Sequence, residues 1–176
     1  MLWRLACLLL LTTLSACAQQ SFDPSEMDIV LDLPAFAEQV RSDDCASVAL
    51  SSLLQYYGHQ ISPDEIDREV YDPVLGGSLL LDLETFAAKQ GLKTHSGRGN
   101  LELLQTLLKK KIPVLLPIDL GWGQWRRPHY VVIFGYSPNS FLIHKDHDTT
   151  TEISHQQLEK KWGKAGSLYL YLEEHD

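Results

Sequence analysis

The chain is 176 residues long and carries 15 Lys and Arg against 23 Asp and Glu, for a formal net charge of −8. An acidic chain without a basic tract lacks the electrostatic footprint of a nucleic-acid binder, so nucleic acid is excluded as a partner class. The length suits a single domain with a proper core.

Residues 1–16 read as a secretory signal. Arg4 supplies the one positive charge, Leu5 to Leu14 is almost continuously apolar, and small residues close the segment at Leu14-Ser15-Ala16-Cys17. The run is too short to span a bilayer, which takes about 20 apolar residues. The Leu-Ser-Ala-Cys tetrad resembles the lipobox of bacterial lipoproteins. That resemblance implies cleavage before Cys17, lipid on its sulfur and further acylation at the new N-terminus, and two or more acyl chains anchor stably where one is marginal. Ala18, rather than an aspartate, follows the cysteine, which by the lipoprotein rule favours the outer membrane, facing the periplasm. An ordinary secreted protein cut nearby is the alternative. Loss of Arg4 would make the charge of −8 one unit more negative. The predicted organisation is a signal over 1–16, a lipid-anchored tether over 17–34 and a folded domain over 35–176.

Of the three cysteines, Cys7 leaves with the signal and Cys17 takes the lipid, so Cys45 is a lone thiol in an oxidising compartment. Asp44-Cys45 runs straight into the helical pattern Ala46 to Tyr57, stopped by Gly58 at a C′ position. A helix mouth carries unpaired N–H groups and partial positive charge, which favour a thiolate. Asp43 and Asp44 oppose it. Two readings of Cys45 are open, a nucleophile and a small buried hydrophobe.

Next, Ser62-Pro63-Asp64-Glu65 is a capping box opening a helix through Val70. A third helix is predicted from about Leu79 to Gln90, ended by Gly91, and Asn100 caps a fourth from Leu101 to Lys110. Gly76-Gly77 reads as a turn. The second half switches to strands. Ile112 to Leu120, with Pro113 and Pro117 inside it, reads as an edge or irregular strand. Tyr130 to Phe134 is a well-buried strand, the turn Ser137 to Ser140 leads to its hairpin partner Phe141 to His144, Ser154 caps a helix through Trp162, and Ser167 to Leu172 is the last strand. The fold class is α+β, N-terminal helices packed on a C-terminal antiparallel sheet.

A nucleophilic thiol needs a base, and the base an orienting group. Among the seven histidines, His129 stands at the start of the most buried strand, where a rigid sheet presents a side chain to a cleft. Gln39 lies six residues before Cys45, and Asp146 follows the hairpin partner, with Asp148 a rival in the same loop.

The blocks Gln39-Val40 and Asp44-Cys45 with Tyr56-Tyr57-Gly58, then His129-Tyr130-Val131-Val132, Phe141 to Asp146, and Leu158 with Trp162-Gly163 together resemble the papain-like peptidases that process double-glycine leader peptides of bacteriocins. The resemblance covers about residues 36–172. It implies a papain-like cysteine peptidase fold with Cys45 as nucleophile, His129 as general base, Asp146 as its orienter and Gln39 as oxyanion donor. A donor in that place is worth roughly 3–4 kcal/mol in well-studied cases. Peptide or protein substrates and no cofactor are implied. Ala46-Ser47 stands where the family carries Gly-Pro or a similar pair, and His147 where it carries proline.

Two clusters remain. His144, Asp146, His147 and Asp148 can be written as a metal site, but strand alternation sets His144 and Asp146 on one side and His147 on the other, and a polar hairpin exit is the better account. Trp122, Trp125, Arg126 and Arg127 lie in a flexible loop before His129. They are readable as a wall of the substrate groove that holds an extended peptide or an acidic group, or as an exposed loop with its tryptophans packed down. The transporter domains to which leader peptidases are usually fused are not expected beside this domain. The alternatives to an envelope peptidase are an NlpC-type cell-wall endopeptidase, disfavoured by Gln39 and the Cys45–His129 spacing, and a catalytically idle, peptide-binding lipoprotein of the same fold.

Overall fold

The computed structural model describes residues 27–38, 44–147 and 149–174. Cys17 and the signal segment, Gln39, Asp43 and Asp148 lie outside the described residues. Among the described residues no helix is long and apolar enough to cross a membrane.

Helix α1 (Cys45–Tyr56) is buried along its whole length from Cys45 to Leu54. Its Ala, Val and Leu residues surround the helix rather than striping it, as a central core helix requires. The serines interleaved among them are satisfied locally: Ser47 donates to the Asp44 carbonyl at 2.8 Å, Ser51 to Ile61 at 2.6 Å, and Ser52 to Pro34. Gly58 ends the helix at φ +83°, a conformation free of strain only without a Cβ. Helices α2 (Pro63–Val70) and α4 (Leu101–Lys109) begin as the capping pattern predicts, with Ser62 accepting from Glu65 N–H and Asn100 from Leu103 N–H. Between them lies α3 (Leu80–Lys89), followed by the turn at Gly91.

The sheet contains β1 (Ile29–Val30), β2 (Lys93–Arg98), β3 (Val114–Asp119), β4 (Pro128–Tyr136), β5 (Ser140–Asp146), β6 (Thr149–Ser154) and β7 (Leu168–Glu173), with α5 (His155–Lys164) before the last strand. The strands run β2-β7-β3-β4-β5-β6, with β1 on β4, and every pairing is antiparallel. Val131 to Tyr136 are buried without alternation, so both faces of β4 are covered. α1 packs on β4 and β3, and α5 on β3, where Trp162 is buried and donates its indole N–H to the Leu168 carbonyl at 2.6 Å. Burying a large apolar side chain of this kind contributes roughly 1.5–3 kcal/mol.

Three features differ from expectation. β3 is an interior strand, but its pairing to β7 stops at Leu115, so Pro117 lies where only β4 flanks it and its missing N–H breaks no ladder there. Residues 28–34, expected as the end of a tether, pack onto the sheet: Leu31 N–H donates to Phe134 at 2.8 Å, and Leu31 and Leu33 join the core beside Phe36. Finally, β6 is a polar strand whose sequence lacks the apolar alternation of a strand packed on a core, and it ends the sheet beyond β5.

Candidate active site

Cys45 is the first residue of α1, and Asp44 before it makes no side-chain cap, which leaves the helix's first N–H groups around the sulfur. Burial pushes the Cys45 thiol above its ordinary range. Main-chain hydrogen bonds from Tyr130, Cys45 and Ala46 pull the other way, and the Asp44 charge adds to the rise. The net direction is up. The helix mouth alone was expected to favour a thiolate; desolvation outweighs it and sets the direction of the shift.

His129 enters from β4, beside Ile118 of β3. Its Nε2 donates to the Lys145 carbonyl at 2.7 Å and lies 3.8 Å from Oδ1 of Asp146. A carbonyl only accepts, so this contact fixes the proton on Nε2 and leaves Nδ1 as the basic nitrogen. The reason Lys145 and Asp146 both reach the ring is a β-bulge. His144 pairs Thr150 and Asp146 pairs Thr149, so Lys145 is an extra residue on β5. Bulges re-aim side chains in this way. Strict alternation would have kept His144 and Asp146 on one face; instead Asp146 meets His129, while His144 stacks on Phe134 with ring centroids 4.3 Å apart. Asp146 also pairs Lys145 Nζ at 3.0 Å. Burial holds the His129 pKa below its usual value, partly offset by the Lys145 carbonyl and Asp146. His147 turns away and donates through Nδ1 to the Phe36 carbonyl at 3.0 Å. Among the described residues no three His, Cys, Asp or Glu side chains converge as a metal site requires.

Cys45 and His129 line one cleft of about 430 Å³. The segment Leu75 to Leu79 forms another part of its wall. This is a turn closed on itself: Asp72 and Gly77 pair, the Asp72 carboxylate accepts the N–H groups of Val74 and Leu75, and Gly76 sits at φ +64°. Tyr130 ties the turn to the sheet, its hydroxyl donating to the Ser78 carbonyl at 3.0 Å. Tyr130 and this wall were not identified as site elements from sequence. Gly76-Gly77 was legible as a turn, but no local signal says that the turn lines the Cys45 cleft.

The Trp122–Arg127 loop is organised by Asp119. One carboxylate oxygen accepts Gly121 N–H at 2.7 Å and Arg127 N–H at 3.0 Å, and the other accepts Arg126 at 3.0 Å. These bonds, led by the main-chain pair, hold the Asp119 carboxyl below the usual range. Neither indole packs down, since Trp122 is 87% and Trp125 75% exposed. Trp122, Trp125 and Arg127 are not among the residues lining the cleft.

Residues 35–170 match the model of the peptidase C39 family. The chain belongs to the peptidase C39 family. It is accordingly a peptidase-family hydrolase. A curated relative, the pediocin PA-1 transport/processing ATP-binding protein PedD of Pediococcus acidilactici, is 27% identical over 129 residues; these are 72% of this chain and 17% of that protein. Solved peptidase structures share the fold. The peptidase domain of Streptococcus ComA, a bifunctional ABC transporter in a quorum-sensing pathway, superposes with a TM-score of 0.66 at 21% identity, covering 80% of this chain and 98% of that one. A putative C39-like peptidase from Bacillus anthracis gives 0.69 at 18% identity, covering 84% and 98%. A double-glycine-motif protease from an AMS/PCAT transporter, solved with its leader peptide, gives 0.67 at 16% identity, covering 84% and 96%.

Proposed function

We propose that this C39 chain cuts peptide bonds through Cys45, with His129 as general base, Asp146 and the Lys145 carbonyl orienting the imidazole, and Gln39 donating to the oxyanion. The observation that carries this reading is that Cys45 and His129 share a cleft while His129 Nε2 is committed to Lys145, so Nδ1 is free to take a proton. His129 Nδ1 accepts the thiol proton as Sγ attacks the scissile carbonyl. The α1 N–H groups and Gln39 hold the oxyanion. Collapse releases the amine, protonated from His129, and leaves a thioester on Cys45, which water hydrolyses. Substrates bearing a Gly-Gly pair are the first class to test, because a structural neighbour is a double-glycine-motif protease.

We further propose that the protein works from the bacterial envelope, anchored by lipid on Cys17 in the outer membrane and facing the periplasm. The Leu14-Ser15-Ala16-Cys17 tetrad supports this. Mass spectrometry after treatment with an electrophilic peptide probe ending in Gly-Gly tests the catalytic reading. A single adduct on Cys45, lost in Cys45→Ala, supports it; turnover undiminished in Cys45→Ala overturns it. The raised thiol pKa favours a second reading, an idle member that only holds peptides. Recovery of an intact bound peptide with no adduct at Cys45 would select that one.

A further inference from the structure

A second hollow of about 250 Å³ adjoins the cleft, lined by Pro117, Ile118, Asp119, Arg126, Pro128 and Ala165. It shares Pro117 and Pro128 with the cleft, and the β3–β4 register places it one step past His129, since Ile118 pairs His129 and Asp119 pairs Pro128. The floor is apolar, with one cation and one anion at its rim. The anion is spent: Asp119 is 4% exposed and both its oxygens are engaged by the loop it holds. The cation is presented: the Arg126 side chain is 66% exposed, yet fixed by Asp119 at 3.0 Å and by the Lys164 carbonyl at the end of α5 at 2.7 Å. A guanidinium fixed beforehand in this way loses little freedom on meeting a carboxylate.

We infer that this hollow is a subsite for an acidic side chain in the leaving half of the substrate, with its stem on Pro117 and Pro128 and its carboxylate at Arg126. The inference rests on the peptidase reading for its direction. His129 hands its proton to the leaving amine, so the substrate beyond His129, toward Pro128, is the half released first. An extended peptide advances about 3.3 Å per residue and strands lie about 4.8 Å apart, so the carboxylate falls within the first three residues after the cut. Trp122 and Trp125 are not part of this subsite, because neither lines it.

The test uses the full chain with fluorogenic Gly-Gly peptides in which Glu, Gln or Lys is walked across three positions on each side of the bond. Glu is preferred over Lys by about fivefold in kcat/KM at one position after the bond, mainly through KM, as a half-exposed charge pair allows. Arg126→Lys retains the preference, Arg126→Gln abolishes it, and added salt reduces it. Indifference to charge after the bond, a preference confined to the other side, or one that survives Arg126→Gln overturns the inference. Failure to cut any peptide would count against the peptidase reading instead. The subsite is then decided by fluorescence polarisation of labelled leaving-half peptides, which needs no turnover: tighter binding of the Glu peptide, lost in Arg126→Gln, supports it, and equal binding overturns it.

Discussion

His129 Nε2 lies closer to the main-chain carbonyl of Lys145, at 2.7 Å, than to the Asp146 carboxylate, at 3.8 Å. In triads where a carboxylate alone fixes the imidazole tautomer, changing it to an amide costs about 10⁴ in rate. Here the backbone fixes it. Asp146→Asn is therefore expected to cost only about tenfold in kcat on a Gly-Gly peptide, whereas His129→Ala loses the base and costs at least about 10³. Equal losses in the two variants would show that Asp146, not Lys145, orients the ring.

Burial raises the Cys45 pKa and lowers that of His129, and these two directions set two pH windows. The Cys45 pKa is raised above an ordinary thiol's, about 8.5, so iodoacetamide alkylation should keep rising with pH through and past that value instead of levelling near neutrality. A raised thiol pKa also means that the folded state holds its proton longer, so Cys45 contributes stability below the ordinary value and loses it as pH rises through the folded one. His129 has the opposite sign. With its pKa lowered, its contribution is full above about 6.5 and is lost as pH falls from there through the folded value, together with activity. Alkylation rates and thermal melts from pH 5 to 10 check both signs.

The loop before His129 depends on a glycine. A Cβ on Gly121 would stand 1.9 Å from the Trp125 carbonyl oxygen, 2.8 Å from the Asp119 carboxylate and 2.9 Å from Arg127 N. Gly121→Ala must open this turn, and Asp119→Ala removes the acceptor of its three hydrogen bonds. Each variant is expected to lose about 1–3 kcal/mol of stability. Trypsin should cut after Arg126 faster than in the wild type, while alkylation of Cys45 changes little.

Gly135 makes room for β1. A Cβ there would approach the Ile29 carbonyl oxygen to 2.8 Å and Leu142 to 3.1 Å. Gly135→Ala is expected to lift residues 28–31 from β4 at a cost of about 1–3 kcal/mol. Faster amide exchange at Leu31, whose N–H donates to Phe134, reports the change. Unchanged protection at Leu31 would show that the sheet shifts instead.

The helices were legible because their ends carry local chemistry: Ser62, Asn100 and Ser154 accept the expected N–H bonds, and Gly58 and Gly91 take positive φ. So were the places of Cys45 at a helix start and His129 near a strand start, which the structure brings to one cleft. The tautomer-setting carbonyl was not, because the bulge at Lys145 changes register without changing residue type. Nor was the direction of the Cys45 pKa, where burial, a tertiary property, overrides the local helix field. The packing of Leu31, Leu33 and Phe36 was hidden by the polar and proline residues between them.

The turn lining the Cys45 cleft closes on itself through Asp72 and Gly77 and meets the sheet at the Tyr130 hydroxyl. Cys45, His129 and Asp146 sit on α1, β4 and β5, outside residues 72–79. Surface turns tolerate insertion and replacement far better than strands do. The width of the opening and the residues Cys45, His129 and Asp146 are therefore free to change separately: a lineage can retune what enters by rewriting eight residues, with the Tyr130 hydroxyl as a fixed tie to the sheet.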